Sequence, residues 1–386
     1  MNRDKIQPNK EPRRIRVAVL FGGQSEEHAV SLASATSVMR ALDQANYEVV
    51  PVGITREGRW LAGGDPLRRL RGGEASESLR EDDSPEEHAL AVGSAGPAGL
   101  GAVVAAGQSL GSVDVVFPVL HGPHGEDGTI QGMLELAGIP YVGSGVLGSA
   151  LSMDKIAAKA VFEGYGLPVG PYMACTRVAW ERDPAGVQAK AEDALGYPMF
   201  AKPSNMGSSV GISKIHGPLE FAHAIDAAAL YDRRILLEAG LDAREIECSV
   251  LGNDDPIASV CGEVVPRREF YDFRAKYLDT GSELIIPAEL PAKTSERVRS
   301  FAVAAFKAVD AAGMARVDFF VRRSDGEVFL NEINTIPGFT SISMYPKLWE
   351  ASGLPYAELV ARLVELALER SYGRASGTVD QRSVSR

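Results

Sequence analysis

The chain has 386 residues, 45% of them hydrophobic, and a formal net charge of -11. That length exceeds one ordinary core and predicts two or three domains. The acidic balance, with no basic stripe, argues against a nucleic-acid partner. No apolar run approaches the roughly 20 residues of a membrane span, so no membrane partner is expected.

Three cysteines, Cys175, Cys248 and Cys261, are few and odd in number. They predict a reduced, cytoplasmic protein whose thiols act as small buried hydrophobes. The first residues are polar and basic without an apolar stretch, so no signal peptide is expected.

In chain order, residues 15–21 read as a buried strand, followed by a Gly22-Gly23 turn, a helix over 26–42 and a strand over 48–55. Residues 61–112, rich in Gly, Ala, Ser, Glu and Arg, read as a surface insertion. A strand over 113–120, a glycine loop, a helix over 130–137 and a short strand over 139–142 follow. This alternation predicts a parallel α/β sheet with ligands beyond the carboxyl ends of its strands. From Gly145 one helix is expected to Tyr165. Strands then come at 198–203, 210–215, 234–238, 245–251 and 256–264, with a helix over 219–229 between them. Residues 267–287 form a long polar-aromatic loop. A helix over 295–312, a hairpin and two helices within 344–369 close the fold, and the tail from Ser371 is expected to be disordered. The predicted class is α/β with α+β elements.

The hairpin carries the most chemistry. Arg316 and Asp318 share one face of its first strand, and Glu332 and Asn334 share one face of its second. A two-residue Asp325-Gly326 turn would set Asp318 opposite Ile333. A three-residue loop, 324–326, with Gly326 left-handed, sets Asp318 opposite Glu332 and Arg316 opposite Asn334. Val317 then meets Ile333 on the core face, which favours this register. Facing carboxylates repel, but two carboxylates and an amide on one face suit Mg2+ bridging a nucleotide's phosphates.

Other segments are informative mainly together. Lys155 follows Ser-Met-Asp on a helix, and Lys202 ends a strand before the loop Pro-Ser-Asn-Met-Gly-Ser-Ser-Val-Gly. Such a loop can lay amides against phosphate oxygens, with lysines as point charges. It reads equally well as a hairpin linker. Glu238 ends one strand and Glu245 starts the next, where they could take an adenine amino group and ribose hydroxyls. Taken alone, a solvated hairpin edge is the simpler reading. His121, Glu126 and Asp127 crowd a glycine-dense strand-end loop whose spacing fits no zinc pattern. Glu26 and Glu27 open the first helix, where acidic residues also complement the helix dipole. Residues 334–344 form a second donor-rich strand-to-helix loop able to bind a carboxylate. Arg274, Lys276 and Tyr277 lie in the long loop, read as a lid.

The stretches FGGQSEEHAVSL, HGPHGEDGTIQGMLELAGIPYVGSGV, ALSMDK, KPSNMGSSVGISK, FYDFRAKYLD, MARVDFF and NEINTIPGFTSISMYP together resemble the D-alanine–D-alanine ligases of the ATP-grasp superfamily. The resemblance runs from Arg16 to about Arg370, apart from 61–112. It implies a three-domain ATP-grasp fold, with an N-terminal domain at 1–143, a central one at 144–239 and a C-terminal one at 240–370. It implies a cytoplasmic homodimer that joins two D-alanines through a D-alanyl phosphate, for peptidoglycan precursors. ATP and two Mg2+ ions are the implied cofactors, with Mn2+ as a substitute.

By the same resemblance, Lys155 and Lys202 would hold ATP phosphates, and Glu238 and Glu245 the adenine and ribose. Asp318, Glu332 and Asn334 would be the metal ligands. Glu27 would take the ammonium of the first D-alanine, with His121 nearby. Arg316 and the Gly338 amide would stabilise the tetrahedral intermediate. Ser343 and the Met344 amide would anchor the second carboxylate. Ser208 and Tyr277 would form a triad with Glu27, and Lys276 would reach the transferred phosphoryl group. Position 29 is Ala where many members have Glu, which makes Glu26 or His28 a candidate brace for the substrate helix. A D-alanine–D-lactate ligase of the same superfamily, a different carboxylate–amine ligase and a non-catalytic nucleotide-binding module are the competing readings. The intact Lys276-Tyr277 pair speaks against the first.

Overall fold

The computed structural model describes residues 13–72, 113–266 and 282–376. Among them the strands form three sheets. The first contains β1 (Arg16–Gly22), β2 (Glu48–Ile54), β3 (Trp60–Ala62) and β4 (Val115–Val119), ordered β3-β2-β1-β4. As expected, β1 runs parallel to β2 and β4, and only the short β3 is antiparallel. β1 is apolar on both faces because both are covered. Val17, Val19 and Phe21 pack toward α1 (His28–Gln44), and Ala18 and Leu20 toward α2 (Thr129–Ala137).

Two expectations in this region are corrected. Residues 139–142 form no strand and make only the bridge Val116–Tyr141. The segment read as an insertion begins with β3 and a short helix, Pro66–Gly72. Residues 73–112 lie outside the described residues.

The helix expected over 145–165 is two helices, α3 (Val146–Met153) and α4 (Lys155–Gly164). Asp154 divides them. Its carboxylate accepts the Ala157 N–H at 2.9 Å, capping α4, and its other oxygen meets Arg234 at 2.6 Å. The second sheet is antiparallel, ordered β5 (Tyr172–Thr176), β8 (Arg234–Ala239), β6 (Met199–Pro203), β7 (Ser213–Ile215). Helices Arg177–Arg182, Pro184–Leu195 and Pro218–Tyr231 accompany it, and Trp180, Val187 and Phe221 from them enter its core. The first two of these helices and β5 were not expected.

The third sheet is ordered β11 (Ser282–Ile285), β10 (Ile257–Pro266), β9 (Ala243–Gly252), β12 (Gly313–Arg322), β13 (Val328–Asn334). Its back is covered by α4 and by Ala292–Ala308, through Phe162, Val298, Ala302 and Phe306. The last two helices, Met344–Ala351 and Tyr356–Ser376, carry the chain back to the first sheet, where Leu359, Val360, Leu363 and Val364 complete its core. The tail read as disordered from Ser371 is therefore helical to Ser376.

The β12–β13 hairpin has the expected pairing: Arg316 opposite Asn334, Val317 opposite Ile333, Asp318 opposite Glu332. Its loop differs. The Arg322 N–H bonds the Glu327 carbonyl at 2.9 Å and the Gly326 N–H bonds the Arg322 carbonyl at 2.8 Å. The loop thus spans 323–326, one residue longer than expected. Gly326 is left-handed, with φ +73°, as expected. The offset is cancelled by a β-bulge: Phe319 pairs with Leu330 while Asp318 pairs with Glu332, so Asn331 is the extra residue.

Candidate active site

A cavity of about 860 Å³ opens where the three sheets meet. Its floor is the outer face of the third sheet. Along β9, Glu245 and Glu247 alternate with buried Ile246 and Cys248, so both carboxylates face the cavity. Glu247 is opposite Asp318, which is opposite Glu332. Three carboxylates thus lie in a row across three strands, an arrangement that repels unless cations intervene. Arg316 intervenes. Its Nε and Nη2 each lie 2.7 Å from an Asp318 oxygen, and Nε lies 3.0 Å from Glu247. The Asn334 amide donates to Asp318 at 3.0 Å.

Glu332 faces Lys155 at 3.7 Å. Lys155, on the first turn of α4, also donates to the Met206 carbonyl at 2.7 Å. It therefore ties the floor to the loop after β6. Lys202 at the end of β6 and Lys159, one turn beyond Lys155, each approach a different oxygen of Glu238 to 2.6 Å. Burial pushes the Glu238 carboxyl up, but the two ammonium groups outweigh it and hold the group down at about 2. Burial likewise opposes the Lys202 charge, and Glu238 overcomes it, raising that lysine.

The far end is built by loops of the first sheet. Glu27 precedes α1, and Ser31 and Ser34 continue the same helix face. The Gly22 N–H donates to Ser31 at 2.8 Å, and Ser31 donates to the Val119 carbonyl, fixing the helix to two strand ends. Ser208 donates to Glu27. Ser208 and Ser209 are both left-handed, with φ +49° and +61°, a costly backbone that clusters at functional sites. Gly122 has no side chain because a Cβ there would sit 2.8 Å from Glu27. His121 Nδ1 is 3.0 Å from the Ile336 carbonyl, which can only accept, so Nδ1 carries the proton; Nε2 faces the Ser34 hydroxyl at 3.4 Å. Burial lowers His121, despite Glu27 and Ile336. Glu126 accepts the Gly122 N–H at 2.7 Å and the Ile336 N–H at 3.2 Å, joining both loops. Burial and the Glu27 charge push it up to about 8.

The structure brings together Glu27, His121, Lys155, Lys202, Ser208, Glu238, Glu245, Arg316, Asp318, Glu332, Asn334 and Gly338 around one cavity. Ser343 and Met344 are not in its wall. The Ser343 hydroxyl sits 2.7 Å from the Thr340 hydroxyl at the start of its helix, and Met344 is packed with Val264 and Leu348. Gly338 lies beside Ser343, whose Oγ a Cβ at 338 would approach to 3.1 Å. Arg274, Lys276 and Tyr277 lie outside the described residues. Ala29 and Glu26 are exposed, while His28 is buried and bonds the Gly23 carbonyl at 2.7 Å. Position 29 is not in the cavity wall, and His28 ties the start of the helix to the Gly22-Gly23 turn. Lys159, Glu126 and Glu247 are among the wall residues given no role from the sequence. The spacings of four from Lys155 and two from Glu245 were the available signals.

Among the described residues no group of three His, Cys, Asp or Glu side chains is placed to hold a metal by itself. Two carboxylates and one amide on a single face are nevertheless the hard oxygen donors an open Mg2+ site needs, with phosphate oxygens completing the shell. The donor set fits the ion.

Sequence models of the D-ala D-ala ligase N-terminus and C-terminus match residues 16–144 and 161–365. The chain is 50% identical to a D-alanine–D-alanine ligase of Acetivibrio thermocellus, over 92% of this chain and 96% of that one. It is 48% identical to that of Chloroherpeton thalassium over the same shares. Among solved structures it resembles the D-alanine-D-alanine ligase of Coxiella burnetii, with TM-score 0.76 and 35% identity over 94% and 96% of the two chains. It also resembles the VanG D-Ala:D-Ser ligase of Enterococcus faecalis, with TM-score 0.76 and 33% identity over 92% and 100%. Three sheets around one charged cavity, and these matches across most of its length, establish that the chain belongs to the D-ala D-ala ligase family.

Proposed function

We propose that this chain joins two D-alanines into D-alanyl-D-alanine at the expense of ATP, through a D-alanyl phosphate, for peptidoglycan precursors. The observation that carries it is the single cavity with opposite chemistry at its ends: lysines and paired carboxylates at one, Glu27, His121 and Ser208 at the other. A carboxylate is a poor electrophile, so phosphorylation must precede amide formation, and the phosphate and amino-acid sites must adjoin.

In this reading Lys155 and Lys202 neutralise the nucleotide's phosphates, and Glu238 and Glu245 line its base and ribose. Glu27 takes the first ammonium, braced by Ser208, with Tyr277 as third member. His121 stands by. Arg316, with the Gly338 amide, faces the oxyanion formed when the second amine attacks. Ser343 and the Met344 amide take the second carboxylate, and Lys276 the transferred phosphoryl group. Asp318, Glu332 and Asn334 would hold two Mg2+ or Mn2+ ions, which supply charge neutralisation on phosphoryl oxygens. Arg316 forks onto Asp318, so in this reading it turns from that carboxylate when Asp318 holds metal and Arg316 faces the oxyanion.

The domain limits proposed from the sequence, at 143/144 and 239/240, are supported by the strands of each sheet falling within one unit. A homodimer is supported by exposed Leu136, Val146 and Leu147 on adjoining helices. No helix among the described residues is long and apolar enough to cross a membrane. The structural likeness to a D-Ala:D-Ser ligase makes D-serine the second reading for the nucleophile. Product masses from ATP, Mg2+ and D-alanine offered with equal D-serine and D-lactate decide this. D-alanyl-D-alanine as main product supports the proposal, and a mixed dipeptide or ester as main product overturns it.

A further inference from the structure

Lys159 has no role in the scheme above, yet it is 2% exposed inside the charged end of the cavity. It lies on α4 one turn after Lys155, on a helix packed against the back of the third sheet through Ala158 and Phe162. Its ammonium has two oxygen partners among the described residues. One is Glu238 Oε1 at 2.6 Å, on β8 of the second sheet. The other is the backbone carbonyl of Asn331 at 3.4 Å, on β13 of the third.

Asn331 is the extra residue of the β-bulge. A bulged residue is left without a cross-strand partner, and its polar groups need another. The bulge decides which side chain faces Asp318. Continuing the pairing of Phe319 with Leu330 would bring Asn331 opposite Asp318 and turn Glu332 to the core face, since a one-residue slip inverts the faces. The carboxylate row therefore depends on a local irregularity, and Lys159 binds its carbonyl.

We propose that Lys159 is a positioning residue: it ties Glu238 on the second sheet to the Asn331 bulge on the third, and so presents Glu332 opposite Asp318. This deepens the nucleotide–metal reading of the cavity and rests on it. Neutralising Glu238 alone would need only Lys202, which already holds the other carboxylate oxygen at 2.6 Å. The second partner, the bulge carbonyl, gives Lys159 its separate task.

The test uses the full-length protein with Lys159→Met and Lys159→Arg. The first readout needs no activity. Amide hydrogen exchange of ligand-free protein is followed over 328–334 and, as control, over 245–251. With Lys159→Met, exchange over 328–334 should rise roughly tenfold while 245–251 is unchanged, because a bulge that loses its tie opens locally. In the second readout, half-saturating Mg2+ should rise about 10–100-fold, the usual scale for losing a residue that orients a metal ligand. The KM for D-alanine should move less than about twofold, since the far end is untouched. Lys159→Arg, which keeps the charge and gains reach, should restore both. Unchanged exchange over 328–334 and unchanged Mg2+ dependence in Lys159→Met would reduce Lys159 to a counter-charge and overturn the proposal. If Lys159→Met does not fold, the double variant Lys159→Met with Glu238→Gln removes the unpaired buried carboxylate, and the same exchange comparison decides. A wild type that releases no ADP with D-alanine would instead defeat the functional reading, leaving the exchange result to stand by itself.

Discussion

The two ends of the cavity treat charge in opposite ways. At the proposed nucleotide end, Arg316 meets Asp318 and Glu247, Lys155 meets Glu332, and Lys159 and Lys202 meet Glu238. At the other end Glu27 and Glu126 lie near each other beside a neutral His121, and Glu126 is held up at about 8. The first end is a lattice of ion pairs that a polyanion and its cations can exchange into. At the second, no Lys or Arg among the described residues pairs with Glu27 or Glu126, which suits an arriving ammonium. On the proposed reading, one cavity thus separates its two ligands by charge, before shape contributes.

The largest expected effect tests the nucleotide end. Glu332→Gln should lower turnover about 10²–10³-fold, the scale of losing one preorganised electrostatic contact with the transition state. The fold should survive, because cross-strand repulsion is relieved as well. Near-normal steady-state turnover in a folded variant would remove Glu332 from the metal set.

Glu27→Gln tests the opposite end. Removing a charged acceptor for an ammonium weakens that contact by about 1.5–3 kcal/mol. The KM for the first D-alanine should rise roughly 10–100-fold, with the KM for ATP nearly unchanged. A rise confined to ATP would reverse the assignment of the two ends.

The ends should also answer pH with opposite signs. Glu126 has its folded value raised from 4.5 to about 8. Its contribution to stability is full below pH 4.5 and is lost as pH rises to 8, because the unfolded chain releases that proton first. Glu238 is lowered from 4.5 to about 2. Its contribution is full above pH 4.5 and is lost as pH falls toward 2. Urea midpoints across pH should therefore lose part of their decline between pH 4.5 and 8 in Glu126→Gln, and part of their decline below pH 4.5 in Glu238→Gln. Identical profiles for the two variants would mean the contrast is misplaced. The smallest effect is Gly326→Ala: with φ +73° and nothing within 4 Å of a new Cβ, only backbone strain of about 1–2 kcal/mol is expected, without loss of activity.

Much of this was legible in the sequence. Alternation of strand, glycine turn and helix gave the first sheet, because buried parallel strands are continuous apolar runs. Period-two spacing placed Arg316, Asp318, Glu332 and Asn334 on one face, and the pairing of Val317 with Ile333 selected their register. The same reading missed the bulge, and a loop one residue longer cancelled the error. The signal was present: Val328, Leu330 and Ile333 are buried, a spacing of two and then three. The helix break at Asp154 was also readable, since Asp is a strong cap, but an unbroken apolar pattern hid it. Asp183-Pro184 marks a helix start that was passed over. What no local pattern could show is distance across the chain. Glu126 joins residues 122 and 336, and Lys159 joins 238 and 331. Such contacts arise only when three sheets are brought together.

The most direct test of the central claim is the coupling of the two ends. ADP release from full-length protein is measured with ATP and Mg2+, with and without D-alanine, alongside dipeptide formed. The account predicts release that depends on D-alanine, with one ADP per D-alanyl-D-alanine. ADP release at the same rate without D-alanine, or no dipeptide when ADP is released, would contradict it.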